Sequence, residues 1–493
     1  MTVRIDKSLS PASSALARIL ADGGDGRIDL DAATGLNRYH SAPRPSPVLA
    51  YASSTANDMS PGAYAHVARR MAEIGPGLTA GHYAEALEAL RGRIRCAYGL
   101  PEEVAIVFAP SGTDLEYVAL ACVAGRAGGG THNVLLGADE VGSGCIHSAH
   151  GRYFADRTAL GLATRPGDPV AGMDGVRVDM VDIPVRDAEG RVRASGEIAA
   201  AIGEAIDAAR AANRHGLIHA VHGSKTGLIL PSLGDIDRLR TAHGPDVSFV
   251  VDACQARITS EAVQAYLARD AIVFITGSKF MGGPPFSGFA LVPRRIARAA
   301  PPLPEGLATV FRRGEWPDSW PGASSLPDTS NPGLLMRLEA AIHELDRFQA
   351  LPCEEAMRII LAFHAAVRDE IVDVTPARRV APYPPGDREE AESHPIEMRT
   401  LSTLDLSGLT GGRATFEDAR VWHKALLGHG VRLGQPVRCV RLAGPGDRWG
   451  ATLRIGLAMW QVADRAGLSD EALARSFRQD TARVREALLA VAG

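Results

Sequence analysis

Apolar runs of six or seven residues alternate with helically spaced segments across the middle of the chain. VAIVFA (104–109), NVLLGA (133–138), LIHAVHG (217–223), VSFVVDA (247–253), AIVFITG (271–277) and GFALVP (288–293) predict strands. They are short, β-branched and apolar at successive positions, so both faces want burial. DLEYVALACVAG (114–125), GEIAAAIGEAIDAARAAN (196–213) and DIDRLRTAHG (235–244) predict the helices between them. The alternation predicts an α/β fold, with a mainly parallel central sheet covered by helices. Upstream, YAEALEALRGRIRCAY (83–98) reads as a helix that Gly99 stops.

The flanks read differently. Residues 1–60 mix Pro, Ser and Ala and predict an N-terminal arm with short helices. Residues 301–333 are rich in Pro, Gly, Ser and Trp and predict an ordered loop region. Amphipathic helices are expected over about 333–349 and 353–372, then a charged, Pro-rich loop over 375–395. LRIGLAMW (453–460) predicts a strand, and LSDEALARSFRQDTARVREALLAV the terminal helix. The expected division is an arm (1–60), a large domain (61–330) and a smaller α+β C-terminal domain (331–493) that opens with the long helix. A chain of 493 residues is long enough for two such bodies.

Composition narrows the function. A net charge of −4 offers no electrostatic reason for nucleic acid or a membrane surface as partner. No apolar run of about 18 residues predicts a transmembrane helix. The N-terminus lacks the basic start and apolar stretch of a secretory signal. Six cysteines lie far apart with no CxxC pair, which predicts a reduced cytoplasmic compartment and argues against a zinc site.

Three segments fall at predicted strand ends, where open α/β sheets place ligands. PSGTD (110–114) joins a strand to a helix, and its small residues and hydroxyls suit an anion; many strand-to-helix turns share these features. VVDACQA (250–256) puts Asp252 at the end of an apolar strand, either as a helix N-cap or as the partner of a cation. FITGSKFMGGPPFSG (274–288) puts Lys279 between a strand and a loop of small apolar residues. Lys225 and Lys279 are among a handful of lysines in a chain that strongly prefers arginine. A lysine kept in such a place suits a job that needs an amine able to lose its proton.

The order of these segments resembles fold-type I pyridoxal-phosphate (PLP) enzymes, and within them the class V aminotransferase and cysteine desulfurase group. SGTD is similar to that group's Gly-Thr-Thr-Glu phosphate turn, DACQA to Asp-x-x-Gln-Ala, and TGSK, 27 residues after Asp252, to Ser-Gly-His-Lys. GPGLTAGHYAEALEALRGRIRCAYGL, DTSNPGLLMRLEAAI and LRIGLAMW match further stretches in the same order, so the likeness spans about residues 75–490.

The resemblance implies PLP as cofactor, covalently held by Lys279, with Asp252 at the pyridine nitrogen and Gln255 near the ring hydroxyl. Gly112, Thr113, Thr276 and Ser278 would bind its phosphate. Thr329 would reach the phosphate of a neighbouring subunit in a homodimer with shared sites. Arg454 would grip the carboxylate of a small amino-acid substrate. The implied activity is aminotransferase-like transfer. The alternatives are a PLP-dependent lyase (β/γ-elimination or C–S cleavage) and a protein of this fold that binds without turnover.

The departures cluster around the expected ring. Where the group has a stacked His after a Glu matching Glu140, this chain has Gly142; His147 or His150 would substitute if the following loop folds back. Lys225 stands near an expected Asn, and Ser278 replaces the His before the lysine. Cys439 lies 15 residues before Arg454, a spacing similar to one desulfurase subgroup's reactive cysteine, but without its sequence context.

Overall fold

Strands that bury both faces need a cover on each, and the chain supplies one. The computed structural model describes residues 11–493 except 76, 139, 143, 174–177, 445 and 447, so the first ten residues of the expected arm lie outside the described residues. The strands in chain order are β1 (Leu49–Tyr51), β2 (Ala105–Ala109), β3 (Thr131–Leu136), β4 (Val178–Ile183), β5 (His215–His222), β6 (Ile229–Leu230), β7 (Val247–Asp252), β8 (Ile272–Thr276), β9 (Gly288–Val292), β10 (Arg378–Val380), β11 (Leu401–Asp405), β12 (Val431–Leu433) and β13 (Thr452–Gly456).

The central sheet runs β2-β9-β8-β7-β5-β3-β4, with β6 paired to β5. β8, β7, β5, β3 and β4 are mutually parallel, and β9 is antiparallel to both β8 and β2. The six apolar runs become β2, β3, β5, β7, β8 and β9. β4 is a strand the pattern does not predict, because as a sheet-edge strand it alternates and carries Asp179 and Asp182. One face is covered by helices that include Ala80–Tyr98, Ser195–Ala211 and Pro332–Gln349. The other is covered by the helix Leu115–Val123 and the Trp-containing segment around residues 296–326.

Connectivity sets where the chemistry lies. Parallel strands must be joined by crossovers, so the links leave from one edge of the sheet. The residues at or just beyond the ends of β2, β5, β7 and β8 therefore gather at that edge: Ser111, Lys225, Asp252 and Lys279.

A third core forms around β10-β11-β13, with the helices Cys353–Val367 and Asp470–Ala492. β1 from the N-terminal segment pairs in parallel with β12. The expected loop 375–395 holds β10 and a short helix, Arg388–Ser393, whose N-cap Asp387 accepts from Glu390 N–H. LRIGLAMW is not one strand. β13 stops at Gly456 and a helix, Met459–Ala463, begins. Leu457 N–H donates to Thr400 O, Met459 N–H donates to Phe280 O, and Gln461 Oε1 takes Ala458 N–H at 2.9 Å. These bonds end the ladder and start the helix.

Candidate active site

Two of the chain's four lysines, Lys225 and Lys279, line one pocket at the strand-end edge, together with Asp252, the turn Ser111–Thr113 and Arg454. The loop that carries Lys279 is held from two sides. Asn57 Nδ2 donates to the carbonyls of Ser278 and Lys279, at 3.0 and 2.6 Å. A Cβ on Gly277 would lie 2.4 Å from Ala341 Cβ, so only glycine lets the loop lie this close to the helix Pro332–Gln349.

The turn after β2 forms the polar end of the pocket. Ser111 Oγ donates to Asp114 Oδ2 at 2.6 Å. Arg27, from the N-terminal arm, donates to Thr113 Oγ1 at 3.2 Å and Ser111 Oγ at 3.3 Å. Its guanidinium forks onto Asp25 at 2.8 and 2.7 Å and lies against the rings of Phe154 and Phe286. Burial opposes the Arg27 charge, but the hydrogen-bonded Asp25 carboxylate outweighs it and raises its pKa. Arg337 fixes this arm. It is fully buried and donates to the carbonyls of Leu20, Asp22, Gly23 and Phe286. Phe286 itself adopts φ 74°, a conformation that costs a non-glycine residue energy and that tertiary contacts must hold.

Of the residues expected at the phosphate, Gly112, Thr113, Thr276 and Ser278 all line the pocket. Thr276 acts as a strut. Its hydroxyl donates to Cys254 O at 2.6 Å, and a Cβ on Gly112 would meet its Cγ2 at 2.8 Å. Its one proton is committed there.

Three expected residues are not in the pocket. Gln255 turns away: its Nε2 donates to Ser54 O at 3.1 Å and its Oε1 accepts from Arg257 at 2.7 Å. Arg257 is fully buried and donates to neutral oxygens, Thr400 Oγ1, Ser53 Oγ and the carbonyls of Gln255 and Leu457 besides Gln255 Oε1. His147 is exposed on the helix Cys145–Ala149, whose inward face carries Cys145 and Ala149. Gly142 and Cys145 form the wall where a ring was expected, and His150 does not line it. Thr329 is exposed and lies outside this chain's pocket.

Asp252 lies against further buried polar groups. Its Oδ1 accepts from Cys254 N–H at 2.9 Å. Glu116 Oε2 and His219 Nε2 sit 3.4 Å apart on neighbouring elements. Burial raises the Glu116 pKa and Asp252 raises it further; burial lowers that of His219 to about 4.

Opposite, Arg454 is buried and donates to Gln435 O, Ser54 O, Lys225 O and Thr55 Oγ1. Among the described residues no carboxylate pairs with it, and burial lowers its pKa to about 10. Lys225 is lowered to about 8, mainly by burial and then by Arg454. Its turn is built on Glu140, which pairs with Arg186 at 2.8 Å and accepts from Ser224 and Thr226. Cys439 is buried outside the pocket, and burial pushes its thiol up to about 12.

Arg27, Tyr39, Ser54, Thr55, Phe286 and Gln435 also line the pocket, without having been expected from sequence. The hydroxyl cluster Ser53-Ser54-Thr55 after an apolar pair is a signal that could have been read. Nothing around Arg27 distinguishes it from the other arginines.

The chain has the fold of the fold-type I PLP enzymes, with the architecture seen in class V aminotransferases and cysteine desulfurases. Among solved structures, a cysteine desulfurase from Thermococcus onnurineus matches at TM-score 0.53 and 16% identity, over 89% of this chain and 95% of that one. Ureidoglycine-glyoxylate aminotransferase from Bacillus subtilis matches at TM-score 0.51 and 13% identity, over 88% and 98%. A cystine C-S lyase, solved with its product cysteine persulfide, matches at TM-score 0.53 and 14% identity, over 87% and 97%. No family model and no curated protein matches the sequence.

Proposed function

We propose that this protein is a PLP-dependent enzyme acting on an amino-acid substrate, with aminotransferase-like transfer chemistry. The observation that carries the reading is the convergence in one pocket of Lys279, Asp252, the Arg27-backed turn and a buried Arg454 that has no carboxylate partner among the described residues. The residues present fit the cofactor. The turn Ser111–Thr113, with Arg27 and Ser278, suits the phosphate; Asp252 suits a pyridinium proton; Lys279 supplies the amine. When bound, PLP supplies an electron sink for bonds at the substrate Cα.

The chain's own residues do the rest. Asp252 would hold a proton at the cofactor's ring nitrogen. Lys279 would hold the cofactor through its amine, and the same amine would serve to move a proton at the substrate Cα. Arg454 takes the α-carboxylate; a buried guanidinium whose N–H groups meet only neutral oxygens gains most from an anionic partner. Tyr39 and Phe286 wall the pocket against water. The buried Cys439 thiol lends no support to a persulfide route. The exposed Thr329 supports a homodimer in which it serves the partner's site, and six unpaired cysteines support a reducing cytoplasmic compartment. No described helix is long and apolar enough to cross a membrane.

The test has two parts. Protein loaded with PLP should be fixed by borohydride at Lys279, and Lys279→Ala should lose that link. Offered single amino acids, the loaded protein should convert its cofactor to the pyridoxamine form and yield one keto acid per site. Keto acid plus ammonia with the cofactor unchanged would reassign it as a lyase, and failure to take up PLP would sink the reading.

A further inference from the structure

The charges that line the catalytic pocket do not balance. Asp252 is its only carboxylate among the described residues, against Arg27, Lys225, Lys279 and Arg454. Three of these cations have a task under the function proposed above, on which this inference rests. Arg27 is paired with Asp25 and backs the phosphate turn. Lys279 supplies the amine that holds the cofactor, and Arg454 takes a substrate α-carboxylate. That function gives Lys225 no task.

Lys225 belongs to the end of the pocket that Arg454 forms. Arg454 Nη1 donates to Lys225 O at 3.3 Å, so the two residues lie side by side. Glu140 clamps the turn that carries the lysine. Lys225 N–H donates to Glu140 O at 2.8 Å, while Ser224 Oγ and Thr226 N–H, on either side, donate to Glu140 Oε2 at 2.8 and 3.1 Å. That carboxylate is itself paired with Arg186. The charged and titratable groups that act on the Lys225 amine are Arg454, Glu140, Lys279 and Cys145. All but Glu140 line the pocket, which puts the amine on the pocket side of its turn. Burial and Arg454 both oppose its charge. An anion bound beside it offsets both, and a neutral or cationic ligand offsets neither. The neighbouring wall is Ser54, Thr55 and Gln435, which suits a charged group better than an apolar side chain.

We propose that Lys225 is a specificity-determining residue that receives a second anionic group, so that the substrate is an acidic α-amino acid. Arg454 binds its α-carboxylate, and Lys225 binds the carboxylate, sulfonate or phosphate that ends its side chain.

The experiment uses full-length protein loaded with PLP, with loading scored first by borohydride fixation at Lys279. Calorimetry then compares succinate and glutarate, which carry two anions and no amine, with butyrate, which carries one. The dicarboxylates should bind about tenfold more tightly. Lys225→Met should erase that difference and Lys225→Arg should restore most of it, with melting curves confirming that each variant folds. At pH 8, glutarate binding should also take up roughly half a proton, read from heats in two buffers, because the anion draws a proton onto an amine whose pKa is about 8. Lys225→Met should lose that uptake. Aspartate, glutamate, cysteate and O-phosphoserine, offered singly, then identify the second anion by which converts the cofactor faster than alanine does. Equal affinity for glutarate and butyrate in the loaded protein, or a preference that survives in Lys225→Met, would overturn the proposal and leave the cofactor assignment standing. Failure to load would overturn both.

Discussion

Asp252 and Lys225 show how single side chains set the chemistry of the catalytic pocket. Asp252→Asn removes the charge that would keep a pyridinium proton in place while preserving shape. The variant should still take up PLP at Lys279, but exchange of the substrate Cα proton for deuterium, followed by NMR, should slow by about 100-fold or more. Lys225 makes a pH-dependent case. Its folded pKa is about 8, while an unfolded lysine titrates near its ordinary value of about 10.4. Below pH 8 the amine is charged in both states and the burial penalty is fully present. Between the two values the unfolded chain holds the proton and the folded chain has released it, so this group's contribution to stability rises with pH. Lys225→Met should therefore stabilise the protein at pH 7, by up to about 3 kcal/mol. That gain should fade toward pH 10, as read from denaturant melts across the range.

At the scale of elements, the site depends on how the N-terminal arm is pinned. Arg337, on the helix Pro332–Gln349, is hydrogen-bonded to three carbonyls of the arm and to Phe286 O. Arg337→Met leaves these acceptors unpaired, though it also removes a buried cation, so the net loss of global stability should be modest, about 1–3 kcal/mol. The larger effect should be local. The segment carrying Asp25 and Arg27 should become open to limited proteolysis, and PLP should be retained less tightly in an absorbance titration. The contiguous motifs at strand ends were readable because a strand, its turn and the next helix are adjacent in sequence. Arg27 was not: it meets Thr113 across 86 positions. Gln255 was misplaced because Arg257, two residues on, claims its oxygen. His147 was misplaced because the short helix after Gly144 turns that position outward.

For the whole molecule, the prediction concerns assembly. Thr329 lies exposed just before Asn331, which caps the long helix by accepting Leu334 N–H at 3.0 Å. A homodimer with shared sites predicts complementation. At a PLP concentration that leaves Thr329→Ala mostly unloaded, mixing it with Lys279→Ala and allowing subunit exchange should restore loading. The mixed dimer then holds one site with both lesions and one with neither. A fully active monomer by light scattering, or no recovery after verified exchange, would rule out the shared site.

The sequence by itself determined the mainly parallel sheet, its helical cover and the placing of Asp252 and Lys279 at strand ends. Those features follow from local period, strand length and the rule that parallel strands share one open edge. Only the tertiary structure decided what surrounds them. Arg27 and Tyr39 from the arm, and Arg454 with Gln435 from the C-terminal part, close the pocket, while Gln255 and His147 leave it. For Arg27 and Arg454 the outcome depends on which distant oxygens a buried cation finds, and no local pattern encodes that choice. Gln255 and His147 are turned by near neighbours, Arg257 and the short helix after Gly144, whose own orientation the rest of the fold sets.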